Sequence, residues 1–535
     1  MNSINASIWN TDDQAFFPEL CKNFVNIRKF NPNGVSIAFS GGAPRAFTAM
    51  LGYMKALIDI KIGDKNAVTA GQFLSTVSAG SFFFGTYLFA KGSKYTDSQL
   101  LGKPLAPSKI TNKSLETRNL KNKNFMGQCI LRTPIKNYLL EGQKKGIPNG
   151  YLWQYAIGKL FLTRYGLSKK LITLNPYYYD KLKHNNPTLQ SAIYPHKFTP
   201  FWICNSALNG VKLRHDARIG IQFTPLYAGI PQAVKNLNNN QLIGGYWMDS
   251  VAFGAKKPQQ NIHPKQCKNQ ITNVKLSTIE SGLLTLDNIM GNSTNAQSYL
   301  SKDDVTQIFG KYVNLYPYYS FWSPLTKKYE NKTYYTNDGA DIDNTGILSL
   351  LQRRCKTIIA FDNLTSLATT TRPPHDTFIC SLSLSSLFGV PSKESCPSFA
   401  YPYNNYIQVF ESDKWDPFTD QILTRLNCGG PSYARAKLKV LPNPIQGVEG
   451  NYVVDLLVIV LAPSTKFNNL LPSSITDTFT NMNDPFYNFP FLPLKGKTYN
   501  TLLQYTLPQV NLLASYAYWS VHNTELKDVI RDMYN

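Results

Sequence analysis

Two small-residue turns carry the residue types of an acyl-transfer site. Ser40-Gly41-Gly42-Ala43-Pro44-Arg45-Ala46 follows the apolar run Val35 to Phe39. Thr76-Val77-Ser78-Ala79-Gly80-Ser81 follows Phe73-Leu74 and precedes the apolar stretch from Phe82 to Ala90. A strand, a sharp turn carrying serine and then a helix expose a hydroxyl as a nucleophile. A glycine-rich turn after a neighbouring strand can aim backbone N–H groups at the oxyanion that attack creates. The N-terminus of a helix starting after Ser78 favours the same developing charge. A lone serine among small residues is also an ordinary structural residue, and only the context sets Ser78 apart.

A serine nucleophile needs a base. The six histidines, His184, His196, His215, His263, His375 and His522, lie in no recognisable base motif. A carboxylate is the other option. Asn337-Asp338-Gly339-Ala340 follows the strand-like Thr333-Tyr334-Tyr335-Thr336, and an Asp at a strand end can project into a cleft. The same four residues equally spell an Asp-Gly turn. Arg45 closes the first turn, either as a surface residue at a helix start or as a ligand for a substrate phosphate, which guanidinium binds well.

The elements that must hold these residues read as an α/β fold. Val35 to Phe39 and Phe73 to Val77 are expected as buried strands. Ala46 to Ile60 and Ala79 to Ala90 are expected as helices. Further strands are expected at Phe198 to Ala207, Arg218 to Phe223, Thr357 to Phe361, Phe378 to Leu384 and Val453 to Leu461. Their continuous apolar character suits a central, largely parallel sheet covered by helices on both faces. Leu502 to Asp528 reads as mostly helical. Residues 1 to 33 read as a polar lead-in with a short helix around Phe16 to Val25. Residues 92 to 150, rich in Lys, Asn and Pro, read as a basic insertion or a mobile surface element. No repeat or linker divides the rest, so one large catalytic domain with insertions is expected.

The chain has 535 residues, 43% hydrophobic and 13% aromatic, which excludes a disordered chain. Lys and Arg total 55 against 33 for Asp and Glu, a net charge of +22. Such an excess favours polyanions, an anionic lipid surface among them, or is a solubility surface. The eight cysteines make no zinc-knuckle pattern, no cofactor motif is found, and no signal peptide is visible, so a reducing cytosol is expected. The sequons Asn292-Ser293-Thr294 and Asn331-Lys332-Thr333 are expected by chance in an Asn-rich chain.

In this order the motifs resemble those of the cytosolic phospholipase A2 and fungal phospholipase B family. The Gly-rich turn ending in Arg-Ala, the serine turn and the later Asp-Gly are joined by further matching segments. Phe223-Thr224-Pro225-Leu226-Tyr227-Ala228-Gly229 is similar to a family segment, with Trp202 to Leu208 as the strand before it. Gly346 to Asp362, Phe489-Pro490 and Gln509 to Trp519 are similar to later ones. The serine turn and Asp338-Gly339-Ala340 also resemble the patatin proteins. The resemblance covers roughly residues 33 to 525.

It implies a patatin- or lysophospholipase-like catalytic domain over 34 to 535, with a candidate lid at 288 to 332. It implies a serine acyl hydrolase acting on phospholipid or lysophospholipid. Ser78 would be the nucleophile and Asp338 the base. Gly42, Ala43 and Ala79 would supply oxyanion N–H groups, and Arg45 would steer the lipid phosphate. No metal and no cofactor are implied. Too few residues precede the first turn for the family's calcium-dependent docking domain. Membrane contact is therefore expected from basic charge and from any exposed aromatics, such as Phe82 to Phe84 or Tyr316 to Trp322, although each of these reads more readily as core, in a cytoplasmic protein peripheral to membranes.

Two departures from the family pattern stand out. Thr76 occupies the place of a Gly two before the nucleophile. Ala43 replaces the third Gly of the oxyanion turn, and Pro44 after it biases Ala43 toward extended backbone. Two other readings stay open: a catalytically impaired member that binds lipid or has a structural role, and a basic nucleic-acid-associated protein, which only net charge favours.

Overall fold

The computed structural model describes residues 3–11, 17–20, 29–131, 134–196, 199–213, 218–258, 272–278, 282–295, 300, 302–326, 332–363, 366–369, 377–380, 382–390, 405–493 and 503–535. The strands of its main sheet, in chain order, begin with β1 (Ser3–Asn10), β2 (Val35–Phe39) and β3 (Phe73–Val77). Then come β4 (Phe201–Asn209), β5 (Gly220–Phe223), β6 (Tyr227–Lys235), β7 (Leu242–Asp249) and β8 (Thr272–Ser277). The last are β9 (Tyr318–Phe321), β10 (Lys332–Asp338), β11 (Thr357–Asp362), β12 (Ser432–Val440) and β13 (Tyr452–Val460). The helices used below are α1 (Ala43–Asp59), α2 (Ala79–Ser93), α3 (Leu286–Ser293), α4 (Ile347–Gln352) and α5 (Leu507–His522).

The 13-stranded sheet runs β8-β1-β7-β6-β5-β4-β3-β2-β11-β13-β12, with β9 and β10 attached through β4. Its centre is parallel: β4, β3, β2, β11 and β13 pair in one direction. The wings are antiparallel. All five residues of β2 and of β3 are buried, as a parallel sheet covered on both faces requires. Alternation along β2 divides the core. Ile37 and Phe39 join one apolar cluster with α1, α2 and α5, and Ala38 joins the other with α4. Where α1 crosses α5 the backbones nearly touch: a Cβ on Gly52 would stand 2.1 Å from the Ala514 carbonyl oxygen.

Several expectations change here. Residues 3–10 are a strand, not a lead-in: β1 lies between β7 and β8, with Ile4, Ala6 and Ile8 buried. In the expected lead-in helix only the turn Pro18–Leu20 and buried Phe17 are described; residues 12–16 and 21–28 lie outside the described residues. The expected strand from Phe378 to Leu384 divides into a strand at Thr377–Cys380, paired outside the main sheet with Ser366–Thr369, and a helix from Leu382 to Leu387. Within 92 to 150, Leu100, Leu115, Phe125, Met126 and Leu139 belong to the main core rather than to a surface element. Phe82, Phe83, Phe84, Tyr319, Phe321 and Trp322 are all buried, in keeping with their reading as core, while Tyr316 and Tyr318 are half-buried. No helix among the described residues is long and apolar enough to cross a membrane, and no cluster of metal-ligating side chains occurs among them.

Candidate active site

One strand brings the two distant motifs together. Along one edge of β4, β3 pairs in parallel as far as Val77 opposite Asn205. From the next rung onward β10 pairs antiparallel, with Asp338 opposite Ser206. The other edge of β4 is taken by β5 over the same rungs. Two strands therefore meet head-on at one edge, and the residues at their meeting ends are Ser78 and Asp338. The Ser78 hydroxyl donates to Asp338 Oδ2 at 2.8 Å. The other oxygen, Oδ1, accepts from the Ala340 N–H at 2.8 Å, which fixes the carboxylate plane. Asp338 is fully buried and Ser78 nearly so. Gly339 is required at this junction, since a Cβ there would stand 2.5 Å from the Asn205 carbonyl oxygen.

Ser78 sits at φ 49°, ψ −119°, between the end of β3 and the first turn of α2. A non-glycine residue in that conformation costs on the order of 1–3 kcal/mol and persists only when its surroundings fix it. Its N–H donates to Ser293 Oγ at 3.1 Å. Gly80 lets α2 come down onto the sheet, because a Cβ there would lie 2.8 Å from the Phe39 carbonyl oxygen.

The first turn lies against the serine. A Cβ on Gly41 would fall 2.6 Å from both Ser78 Cβ and Asn344 Oδ1. The Gly41 N–H donates to Asn344 Oδ1 at 3.0 Å, so that donor is engaged. Gly42 takes φ 135° and Ala43 φ 51°. Ala43 is therefore in the left-handed region and not extended: it opens α1, whose helical geometry from Pro44 onward outweighs the bias that a following proline imposes. No described residue accepts a hydrogen bond from the N–H groups of Gly42, Ala43 or Ala79, whereas those of Gly41 and Ser78 are tied back.

Arg45 is half-buried on the first turn of α1, with Nε donating to the Asn363 carbonyl oxygen at 3.0 Å. Its guanidinium lies 5.3 Å from the centre of the Phe491 ring, and burial holds its pKa below the usual value. Thr76 is completely buried and accepts from the Trp202 indole N–H at 2.9 Å. His184 lies beside Asn185, and His522 stacks on Tyr518 at the end of α5. His215, His263 and His375 lie outside the described residues.

Ser293 of α3 and Asn344 of the loop after β10 are contact residues of the site that the sequence motifs do not mark. The expected lid over 288 to 332 begins instead inside the core: Asn292, Ser293, Thr294 and Asn295 are buried behind the serine. Asn292-Ser293-Thr294 is thus no accessible glycosylation site. Neither Ser293 nor Asn344 carries a local signal, because each acts through a contact with a distant turn.

No family model matches the chain. No curated protein matches its sequence. Among solved structures it is similar to human GIVD cytosolic phospholipase A2, with a TM-score of 0.47 and 12% identity over 95% of this chain. It covers 61% of that chain, about three-fifths of its length. A second structure of that human protein, in complex with methyl gamma-linolenyl fluorophosphonate and terbium chloride, gives a TM-score of 0.42 at 12% identity, over 94% of this chain and 58% of the other.

Proposed function

We propose that this chain is a serine acyl hydrolase that cleaves ester bonds of phospholipids or lysophospholipids through a Ser78/Asp338 dyad. The observation that carries the reading is the 2.8 Å hydrogen bond from a serine in a strained strand–helix turn to a buried carboxylate. As Ser78 Oγ attacks the ester carbonyl carbon, its proton passes to Asp338 Oδ2. The charge that develops on the carbonyl oxygen is met by N–H groups from Gly42, Ala43 and Ala79, which no described residue engages. Collapse of the tetrahedral adduct breaks the ester C–O bond, and Asp338 returns the proton to the departing alcohol. Water then attacks the acyl-serine with Asp338 again as base, releasing the fatty acid and restoring Ser78.

The lipid class comes from the ordered motifs of the sequence. Arg45 is the candidate for steering a phosphate, through guanidinium nitrogens other than the Nε held by Asn363. The net charge of +22 supports contact with an anionic membrane surface by a cytoplasmic protein.

A fluorophosphonate probe tests the reading. Labelling of Ser78, with loss of both labelling and fatty-acid release in Ser78→Ala and of release in Asp338→Asn, is the expected result. An unlabelled Ser78 in a folded protein would overturn it and leave a lipid-binding or structural role.

A further inference from the structure

The buried hydroxyls beneath Ser78 form a chain with one allowed polarity. The Trp202 indole can only donate, and its N–H points to Thr76 Oγ1 at 2.9 Å. Thr76 Oγ1 lies 3.1 Å from Ser81 Oγ, and Ser81 Oγ lies 2.8 Å from Ser293 Oγ. Ser293 Oγ donates to the Asn205 carbonyl oxygen at 2.6 Å, an atom that can only accept. With a pure donor at one end and a pure acceptor at the other, every hydroxyl between them passes its proton the same way. Ser293 Oγ then has its acceptor side open to the Ser78 N–H at 3.1 Å. Thr76, Ser81, Trp202 and Ser293 are buried, so none of these bonds is shared with bulk water.

The chain ends on the backbone of the strained residue itself. Its components come from β3, α2, β4 and α3, so the elbow is tied at once to the sheet below and to the helix behind. Two neighbours complete the setting. The Asn205 side chain donates to the Thr76 carbonyl oxygen at 3.0 Å and to Ser75 Oγ at 2.9 Å. The Cys204 thiol, which burial pushes up to about 12, stays protonated and donates to Ser81 Oγ at 3.3 Å. Thr76 has one other acceptor, the Ile203 carbonyl oxygen, but at a longer 3.4 Å.

We propose that Thr76, Ser81 and Ser293 form a polarised hydroxyl relay that fixes the Ser78 N–H and so holds the serine in its attacking conformation. The inference rests on the reading of Ser78 as a nucleophile. All three are positioning residues, since none touches the reacting atoms. Thr76 fills a place in the relay that glycine could not. A glycine would leave the Trp202 N–H buried without an acceptor, whereas the threonine hydroxyl both accepts from it and supplies the next donor. Replacing Thr76 with glycine should therefore impair the site.

The test uses isosteric and conservative variants of the full chain. Thr76→Val removes only the hydroxyl, Ser293→Ala cuts the link to Ser78, and Thr76→Ser keeps the hydroxyl. Fluorophosphonate labelling and ester turnover are measured beside hydrogen exchange of the peptide carrying the Ser78 N–H, which needs no catalysis. Thr76→Val and Ser293→Ala are expected to lower kcat and labelling by about 10- to 100-fold with KM held within about threefold. They should also speed exchange at the serine turn, while Thr76→Ser stays near the parent in every readout. Unchanged exchange and labelling in both hydroxyl-deleting variants would overturn the relay. If the parent chain is not labelled at all, the hydrolase reading falls, and the exchange arm alone decides the relay. Should Thr76→Val unfold, Ser293→Ala carries the same comparison.

Discussion

Ala43 stands at φ 51° immediately before Pro44, a conformation that costs an L-residue roughly 1–2 kcal/mol and costs glycine almost nothing. Ala43→Gly should thus raise stability against urea by up to about 1 kcal/mol and leave Ser78 labelling no slower. A drop in stability would mean that the turn is not held in this conformation. Gly41 is the opposite case. A methyl group there would fall 2.6 Å from Ser78 Cβ and Asn344 Oδ1, so Gly41→Ala must displace Ser78. Labelling should fall by about 10²-fold or more while the melting curve shifts little, because the clash is local. Both turns are legible in the sequence, since small residues after an apolar run and before a helix mark such turns locally. Ser293 and Asn344 are not, because a side chain that caps another segment's N–H leaves no pattern in its own neighbourhood.

The central strands β2, β3, β11 and β13 and the helices α1, α2 and α5 lie close to where periodicity places them. They are apolar throughout or have long amphipathic spacing, which tertiary context does not override. β1 is different. Ile4, Ala6 and Ile8 alternate with polar residues at period two, the mark of a strand, but the polar content of the segment masks it. α3 is missed for a related reason: its polar residues Asn292 and Ser293 read as solvent-facing, yet their amide and hydroxyl are consumed inside the core. Asn292 Oδ1 accepts from Gln154 and Thr336, and Asn292 Nδ2 donates to Tyr319. The α1–α5 contact is a test at this scale. With the Ala514 carbonyl oxygen 2.1 Å from where a Cβ would stand, Gly52→Ala has to separate the two helices. A loss of about 1–3 kcal/mol in chemical denaturation is expected, with no change in the ratio of labelling to folded protein.

Across the whole molecule the N-terminal segment is tied to the end of α4 by a buried charge pair. Glu19 Oε1 accepts from Arg353 Nε at 2.7 Å, both side chains are inaccessible, and Tyr227 Oη bridges them. Arg353 also lies 4.1 Å from the centre of the Phe17 ring. Glu19→Ala should cost about 3–5 kcal/mol by leaving the guanidinium buried and unpaired. A second global effect is pH-dependent. Burial raises Asp249 to about 6 even though the Ser7 N–H donates to it. Because the folded carboxyl holds its proton more tightly than the unfolded one, its protonation adds stability below the ordinary carboxylate range. That contribution is lost as pH rises through about 6. Asp249→Asn should therefore gain on the parent chain by up to roughly 1 kcal/mol per pH unit between about pH 4 and 6, measured by denaturation across that interval. The net charge of +22 makes a third prediction: binding to anionic vesicles that weakens steeply with salt, against little binding to neutral ones.

The head-on meeting of β3 and β10 at one edge of β4 also sets a clock on synthesis. The serine leaves the ribosome first, and the carboxylate that accepts its hydrogen bond follows 260 residues later. At about 5–20 residues per second, that gap lasts about 13–50 s. Throughout it, the rung beyond Val77 has no strand to fill it, and Asp338 is not there to accept from the Ser78 hydroxyl. On the proposed dyad, a nascent chain that stops short of Asp338 carries only half of the site, and reactivity toward lipid esters would arrive in a single late step when Asp338 docks.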